Sequence, residues 1–353
     1  MTVQHLTHSL AVGPQNVDDP IDTLSAEESA TEALTHDGRA VRVAIVAGGL
    51  THERDVSIRS GRRVAGYLAT GGAAVEIFDL DDALLRNLRE FEPDVVWPLV
   101  HGSTGEDGTL QSLLDVTGLP HVGSPAGACR LASDKPVAKA VLARAGLAVP
   151  DGVAFPQSMF RELGARALLD AVVGHLDLPL VVKPAAGGSA LGVTMVHDRE
   201  ALPTAMVDAF SYGDVALIEK LVSGTEVAVS VVDTGDGPRA LPPVEIVTDG
   251  AYDYDARYNP GRSEYFVPAR LDDEQRRAVE HLAVRVHEEL GLRHLSRTDL
   301  ILDADGIAWF LDCNVAPGMT ETSLLPQAGQ ATGGRLADLY LDIVRTALAD
   351  ARG

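Results

Sequence analysis

The chain has 353 residues, and 29 basic against 51 acidic side chains leave a formal net charge of −22. That excess of acid argues against a broad electrostatic grip on nucleic acid or anionic membrane, and no apolar run reaches the roughly 18 residues that a membrane span needs. A length of 353 with 46% hydrophobic residues suits two or three globular domains with sizeable cores. The basic set is lopsided: only four lysines occur, Lys135, Lys139, Lys183 and Lys220, so 25 of the 29 bases are Arg. The two cysteines, Cys129 and Cys313, lie far apart without metal-ligand spacing, so a cytoplasmic location is expected.

Residues 1–40 carry seven acids, one base (Arg39) and no aromatic residue. This composition predicts a disordered acidic extension and matches neither a secretory signal nor a transit peptide. The run 41–47 is a β-branched strand ending in Gly48-Gly49, and 56–68 has helical apolar spacing. Further strands are expected at 75–78 and 95–100, with a helix around 84–88 between them. Strands alternating with helices predict an α/β unit with a parallel sheet, whose ligand edge lies at the strand C-termini. Ser133-Asp134-Lys135-Pro136 supplies a cap and an early-turn proline for a helix ending at Gly146. Strands at 180–183, 192–196 and 216–221 follow. A third unit has strands near 227–232, 300–302 and 309–311 and amphipathic helices at 273–290 and 334–349. These readings divide the chain into the extension 1–40, an α/β domain 41–123, a central domain 124–224 and a C-terminal domain 225–350.

Four constellations could carry chemistry. The small-residue loop 183–192 follows Lys183 at a strand end, and its backbone N–H groups can approach an anion closely. It lacks the Gly-Lys-Ser/Thr of a Walker A loop, and a flexible hairpin tip is the plain alternative. In a chain this poor in Lys, however, Lys183 and Lys135 stand out from ordinary surface charge, and a flexible ammonium suits a phosphate in a tight pocket. Asp299, Asp312 and Asn314 flank two apolar strands. As hard oxygen donors they suit Mg²⁺ shared with nucleotide phosphates, against the alternative of solvated strand-end acids. Glu53, after the first strand, could hold a substrate ammonium or could merely cap the helix that follows. The segment 251–260, with three Tyr in seven positions, reads as a surface loop or lid.

Taken in order, these motifs resemble the D-alanine–D-alanine ligase family of ATP-grasp enzymes. The resemblance spans roughly 41–345. It rests on 52–57 (His-Glu-Arg-Asp-Val-Ser), 101–108 (His-Gly-Ser-Thr-Gly-Glu-Asp-Gly), 133–135, the 183–192 loop, 218–220 with Glu226, the 252–258 lid and 314–320 (Asn-Val-Ala-Pro-Gly-Met-Thr). It implies a three-domain ATP-grasp fold, a homodimeric assembly of the kind common in that family, and ATP held between the central and C-terminal domains. Lys135, Lys183, Gly188 and Ser189 would meet the phosphates, Glu219, Lys220 and Val222 the adenine, and Glu226 the ribose. Asp299, Asp312 and Asn314 would bind two Mg²⁺ ions, with Mn²⁺ a possible substitute. Glu53 would hold the first amino acid and, with Ser189 and Tyr258, close the lid. Arg297 and the Gly318 N–H would stabilise the negative charge that develops on the oxygen when the acyl carbon is attacked. His101, Arg257, Ser323 and Leu324 would contact the amino-acid substrates.

The chain departs from the family pattern near these sites. Gly187-Gly188-Ser189-Ala190 stands where Glu-Gly-Ser-Ser is usual, so one carboxylate and one hydroxyl are missing. Asp312 replaces the usual Glu, retracting its carboxylate by roughly 1.5 Å, one C–C bond. Arg257 replaces a Lys, Thr298 a Val, and Thr322-Ser323-Leu324 a His-Ser-Leu. Three readings stay open on sequence: a peptidoglycan-precursor ligase, an amino-acid ligase of a specialised pathway, and an inactive nucleotide-binding paralogue.

Overall fold

The computed structural model describes residues 34–36, 38–188, 190–248 and 263–351. Most of the 1–40 extension, the 252–258 lid, Ser189, Arg257 and Tyr258 therefore lie outside the described residues. A short antiparallel pair, β1 (Thr35–His36) and β2 (Arg39–Ala40), precedes the first sheet.

The expected parallel sheet is present. β3 (Arg42–Ala47) lies between β4 (Ala74–Asp79) and β5 (Val95–Pro98), parallel to both. The helix Arg54–Thr70 is the crossover between β3 and β4, and it buries Val56, Ser57, Ser60, Val64 and Leu68 at helical spacing. Gly61 lets it lie close on the sheet, since a Cβ there would stand 2.9 Å from that of Ala47.

The second sheet is antiparallel in the order β6 (Gly152–Pro156), β9 (Val215–Lys220), β7 (Leu180–Pro184), β8 (Thr194–Val196). Its own core comes from the helices Ala165–Leu176 and Leu202–Phe210. The third sheet runs β13 (Ser263–Phe266), β12 (Val244–Thr248), β10 (Thr225–Asp233), β14 (Leu295–Leu302), β15 (Ala308–Asn314), with β11 (Pro238–Ala240) paired to β10.

Side-chain alternation divides the third sheet between two cores. Val227, Val229 and Val231 join a core with the helix Asp273–Glu289 and with Ala138 and Leu142 of the helix Lys135–Arg144. Ala228 and Val232, on the other face, join a core that also holds Val43, Ile45 and Trp97 of the first sheet and Tyr340, Leu341 and Val344 of the C-terminal helix Leu336–Asp350. Tyr340 meets Trp97 and Tyr67 edge-on at centroid distances of 5.7 and 5.6 Å. The first and third sheets are thus joined by shared apolar packing, while the central sheet has a separate core.

Candidate active site

The C-terminal edge of the parallel sheet builds the first wall. Glu53 occupies the N-cap position of the helix Arg54–Thr70 but makes no side-chain capping bond, so the capping alternative fails. Its carboxylate is buried and lies against Gly102. That glycine has φ +84°, and a Cβ on it would come within 2.9 Å of Glu53 Oε2, so only glycine fits the turn there. Ser57, one turn on, accepts the Gly48 N–H at 2.8 Å and donates to the Leu99 carbonyl at 2.7 Å. His101 is buried, with Nδ1 3.0 Å from the Ala316 carbonyl and Nε2 3.1 Å from Ser60 Oγ. Glu106 accepts the Gly102 N–H at 3.1 Å. Its side chain is half-buried overall, but the carboxyl end faces inward, and burial followed by the charge of Glu53 pushes it up to about 8.

Three of the four lysines form the second wall. Asp134 caps the helix that carries Lys135 and Lys139 by accepting the Val137 N–H at 3.1 Å, while Ser133 ends the preceding helix, Ala126–Ser133. Lys135 and Lys139, four residues apart, share a helix face. Lys135 donates to the Gly187 carbonyl at 2.6 Å and pairs with Asp312 at 3.0 Å, so it joins the small-residue loop to β15. Lys139 pairs with one oxygen of Glu219 at 2.8 Å, Lys183 with the other at 2.6 Å, and Lys139 also donates to the Phe310 carbonyl at 3.0 Å. Burial alone would raise the Glu219 carboxyl, but the charges of Lys183 and Lys139 outweigh it and hold it below the ordinary carboxylate range. Burial and the nearby Lys183 push Lys139 down to about 8. Lys220 alternates to the other side of β9 and is exposed. Val222 and Glu226 are half-buried, and Glu226 shares the face of β10 that Ala228 occupies.

The third wall is the end of the β14–β15 ladder. Arg297 is in register with Asn314 and Asp299 with Asp312, so alternation puts all four on one face. Arg297 grips Asp299 through two hydrogen bonds, at 2.7 and 3.0 Å. Asn314 Oδ1 accepts the Ala316 N–H at 2.8 Å, and Asp312 Oδ1 accepts the Cys313 N–H at 2.9 Å. Thr298 is on the opposite face, in register with Val229 and Cys313, so this departure from the family pattern points away from the acids. Burial pushes the Cys313 thiol well above its ordinary range, which keeps it protonated.

No group of three or more His, Cys, Asp and Glu side chains gathers at metal distance among the described residues. The set here is two carboxylates and one amide, all hard oxygen donors, and it fits Mg²⁺.

After β15 the chain turns through Pro317-Gly318 into the helix Leu324–Ala331. A Cβ on Gly318 would meet Ser323 Oγ at 2.7 Å, so the missing side chain admits the hydroxyl. Ser323 Oγ accepts the Thr320 N–H at 3.0 Å, and Leu324 is buried at the start of the helix. Glu53, His101, Lys135, Lys183, Arg297, Asp299, Asp312, Asn314 and Gly318 therefore come from three sheets to one cleft, together with Lys139, Glu106 and Ser60, which sequence reasoning left without a role.

Two family models match the chain: the D-Ala–D-Ala ligase C-terminus over residues 141–345 and the D-Ala–D-Ala ligase N-terminus over 79–124. A D-alanine–D-alanine ligase of Desulforudis audaxviator is 40% identical over 310 residues, covering 87% of this chain and 98% of the relative. The chain belongs to the D-alanine–D-alanine ligase family. A relative from Bordetella petrii is 38% identical, over 87% of this chain and 92% of that one. Among solved structures, the Bacillus anthracis ligase complexed with ATP aligns with a TM-score of 0.74 at 26% identity, over 89% of this chain and 99% of that one. The VanG D-Ala:D-Ser ligase of Enterococcus faecalis gives 0.74 at 26%, over 88% and 100%. These neighbours bear out the ATP-grasp fold. As a family member the protein is an ATP-dependent carboxylate–amine ligase, of a family that uses ATP with Mg²⁺. No helix among the described residues is long and apolar enough to cross a membrane.

Proposed function

We propose that the protein joins two molecules of D-alanine, giving D-alanyl-D-alanine for peptidoglycan synthesis with ATP converted to ADP and phosphate. The observation that carries this reading is the meeting of Glu53, the Lys135–Asp312 pair and the Arg297–Asp299 pair at one cleft, in a chain 40% identical to a ligase of that name.

A carboxylate is a poor electrophile, and phosphorylation by ATP turns it into an acyl phosphate with a good leaving group. Lys135 and Lys183, with the backbone of Gly188 and with Ser189, neutralise and seat the phosphates. Glu219, Val222 and the backbone of Lys220, whose side chain faces away, border the adenine, and Glu226 the ribose. Asp299, Asp312 and Asn314 are the Mg²⁺ ligands, and the metal's contribution is Lewis-acid neutralisation of the transferring group. Glu53 orients the ammonium of the first amino acid. The second amino acid, its carboxylate received at Ser323 and the Leu324 N–H, attacks the acyl carbon. Arg297 and the Gly318 N–H then stabilise the oxyanion. Tyr258 and Arg257 belong to the lid that keeps water from the acyl phosphate. We assign the domains as 41–123, 124–224 and 225–350 after an extension 1–40, and propose a cytoplasmic homodimer.

The test is ADP release by the purified protein with Mg²⁺ and a panel of D- and L-amino acids, followed by mass analysis of products. D-alanine alone yielding the dipeptide is expected. Turnover requiring D-serine or another second amino acid overturns the proposed specificity, and no turnover with any amino acid overturns the ligase assignment of these residues.

A further inference from the structure

Ser60 lies on the face of the helix that Glu53 and Ser57 share, at spacings of four and three residues. It is fully buried and lies two turns along the helix from Glu53, with no role of its own in the proposed chemistry. Its Oγ stands 3.1 Å from His101 Nε2 and receives the Met319 N–H, also at 3.1 Å. The other ring nitrogen of His101, Nδ1, is 3.0 Å from the Ala316 carbonyl.

These contacts allow one assignment of protons. The Ala316 carbonyl can only accept, so Nδ1 carries the ring proton. The Met319 N–H can only donate, so Ser60 Oγ accepts it and has its own hydrogen left for Nε2. The chain then runs Met319 N–H to Ser60 Oγ, Ser60 O–H to His101 Nε2, and His101 Nδ1–H to Ala316 O, every donor matched to an acceptor. A doubly protonated ring would turn Nε2 into a second donor against Ser60 and leave the hydroxyl hydrogen without an acceptor in this chain. The charged groups around the ring are Glu53 and Arg297, which act on it in opposite directions, and burial is the larger influence, disfavouring the cation.

The chain begins at Met319 and ends at Ala316, the two residues that bracket Pro317-Gly318. We propose that Ser60 and His101 are positioning residues that clamp this turn from the first sheet and fix the aim of the Gly318 N–H at the developing oxyanion. This rests on the ligase reading above, and it makes His101 a neutral strut whose two ring nitrogens are both engaged by the protein, not a hydrogen-bonding ligand of the substrate. The clamp serves the second chemical step, because Gly318 acts on the tetrahedral centre and takes no part in seating ATP.

The experiment separates the two steps. Acyl-phosphate formation is read as D-alanine-dependent scrambling of ¹⁸O between the bridging and non-bridging positions of ATP, and ligation as dipeptide release. Ser60→Ala and His101→Asn are expected to slow ligation by about 10²-fold, the size of a lost oxyanion donor. Scrambling and the KM for ATP should stay within about threefold of wild type, well inside that oxyanion range. The double variant should be no slower than the worse single one, since both break the same chain. Loss of scrambling and ligation in parallel, or ligation at the wild-type rate, overturns the clamp while leaving the ligase reading intact. Wild-type protein that ligates no amino acid overturns both. A measurement on the unaltered protein guards against variants that fail to fold: ¹⁵N spectra of histidine-labelled protein at neutral pH should show His101 neutral and protonated at Nδ1. A ring protonated at Nε2, or at both nitrogens, overturns the proposal.

Discussion

On the side of the cleft assigned to nucleotide, Lys139 and Lys183 hold the two oxygens of buried Glu219 at 2.8 and 2.6 Å. On the amino-acid side, Ser60, His101 and two backbone groups are linked at 3.0–3.1 Å with no formal charge. Both arrangements are buried, yet they answer differently to a ligand. A polyanion entering the cleft competes with Asp312 for Lys135 and with Glu219 for Lys183, and Coulomb attraction in a partly desolvated site makes that competition strong. The neutral chain offers no charge to compete for, so it can hold the same geometry through every step. The charged wall is built to be rearranged and the uncharged wall to stay put.

The largest effect tests the point where the walls meet. Arg297→Ala should lower dipeptide formation by about 10²–10³-fold, the range for loss of an oxyanion-stabilising group, with ATP affinity by calorimetry close to wild type. Unchanged turnover would refute the assignment of Arg297. Next comes the charged wall itself. Lys139→Met leaves Glu219 with a single lysine partner and should cost about 3–5 kcal/mol in urea unfolding, with KM for ATP raised more than kcat is lowered. Ser60→Ala, by contrast, removes neutral hydrogen bonds, for which about 1–3 kcal/mol is expected in the same assay. Equal losses in the two variants would erase the distinction between the walls.

A neutral pair remote from the cleft supplies the acid-side comparison. His287 Nδ1 meets Ser296 Oγ at 2.8 Å, and burial pushes this imidazole down to about 4. Between its ordinary value near 6.5 and 4, the unfolded chain takes up a proton that the folded chain does not. Stability from this site is therefore intact above pH 6.5 and declines as the pH falls toward 4, by roughly 3 kcal/mol at 1.36 kcal/mol per unit. His287→Gln should flatten that part of the stability profile, and a slope unaffected by the substitution would remove His287 as its source.

Much of this architecture is written in local pattern. The β-branched run at 41–47 and the helical spacing after it become β3 and its crossover helix, with ends shifted by only a few residues. The pairing of Asp299 with Asp312 was also readable, because two apolar runs joined by Asp-Ala-Asp-Gly make a hairpin. The length of β14 was not. The expected strand covers only 300–302, whereas β14 begins at Leu295, since a strand lining a polar cleft shows no apolar alternation. The strand Gly152–Pro156 was missed as well, being short and ending in proline. Lys139 was left without a role, although only four lysines occur in the chain. Its partners Glu219 and Phe310 are 80 and 171 residues away, and no local rule reaches so far. Ser60 carried no signal beyond its place on the Glu53 face. Small buried polar residues reveal their role only when both partners are in place.

The division of cores has a mechanical consequence. The C-terminal helix, through Tyr340 and Leu341, seals the first sheet to the third with apolar packing, while the central sheet keeps its own interior. Polar ties from one short helix, Lys135–Arg144, join the central sheet to that body: Lys135 to the Gly187 carbonyl and Asp312, and Lys139 to Glu219 and the Phe310 carbonyl. In the proposed mechanism Glu53, Arg297 and Gly318, which receive the two amino acids, all belong to the body that shares one apolar core. The phosphates of the nucleotide would instead fall at the lysine ties between that body and the separately cored central sheet.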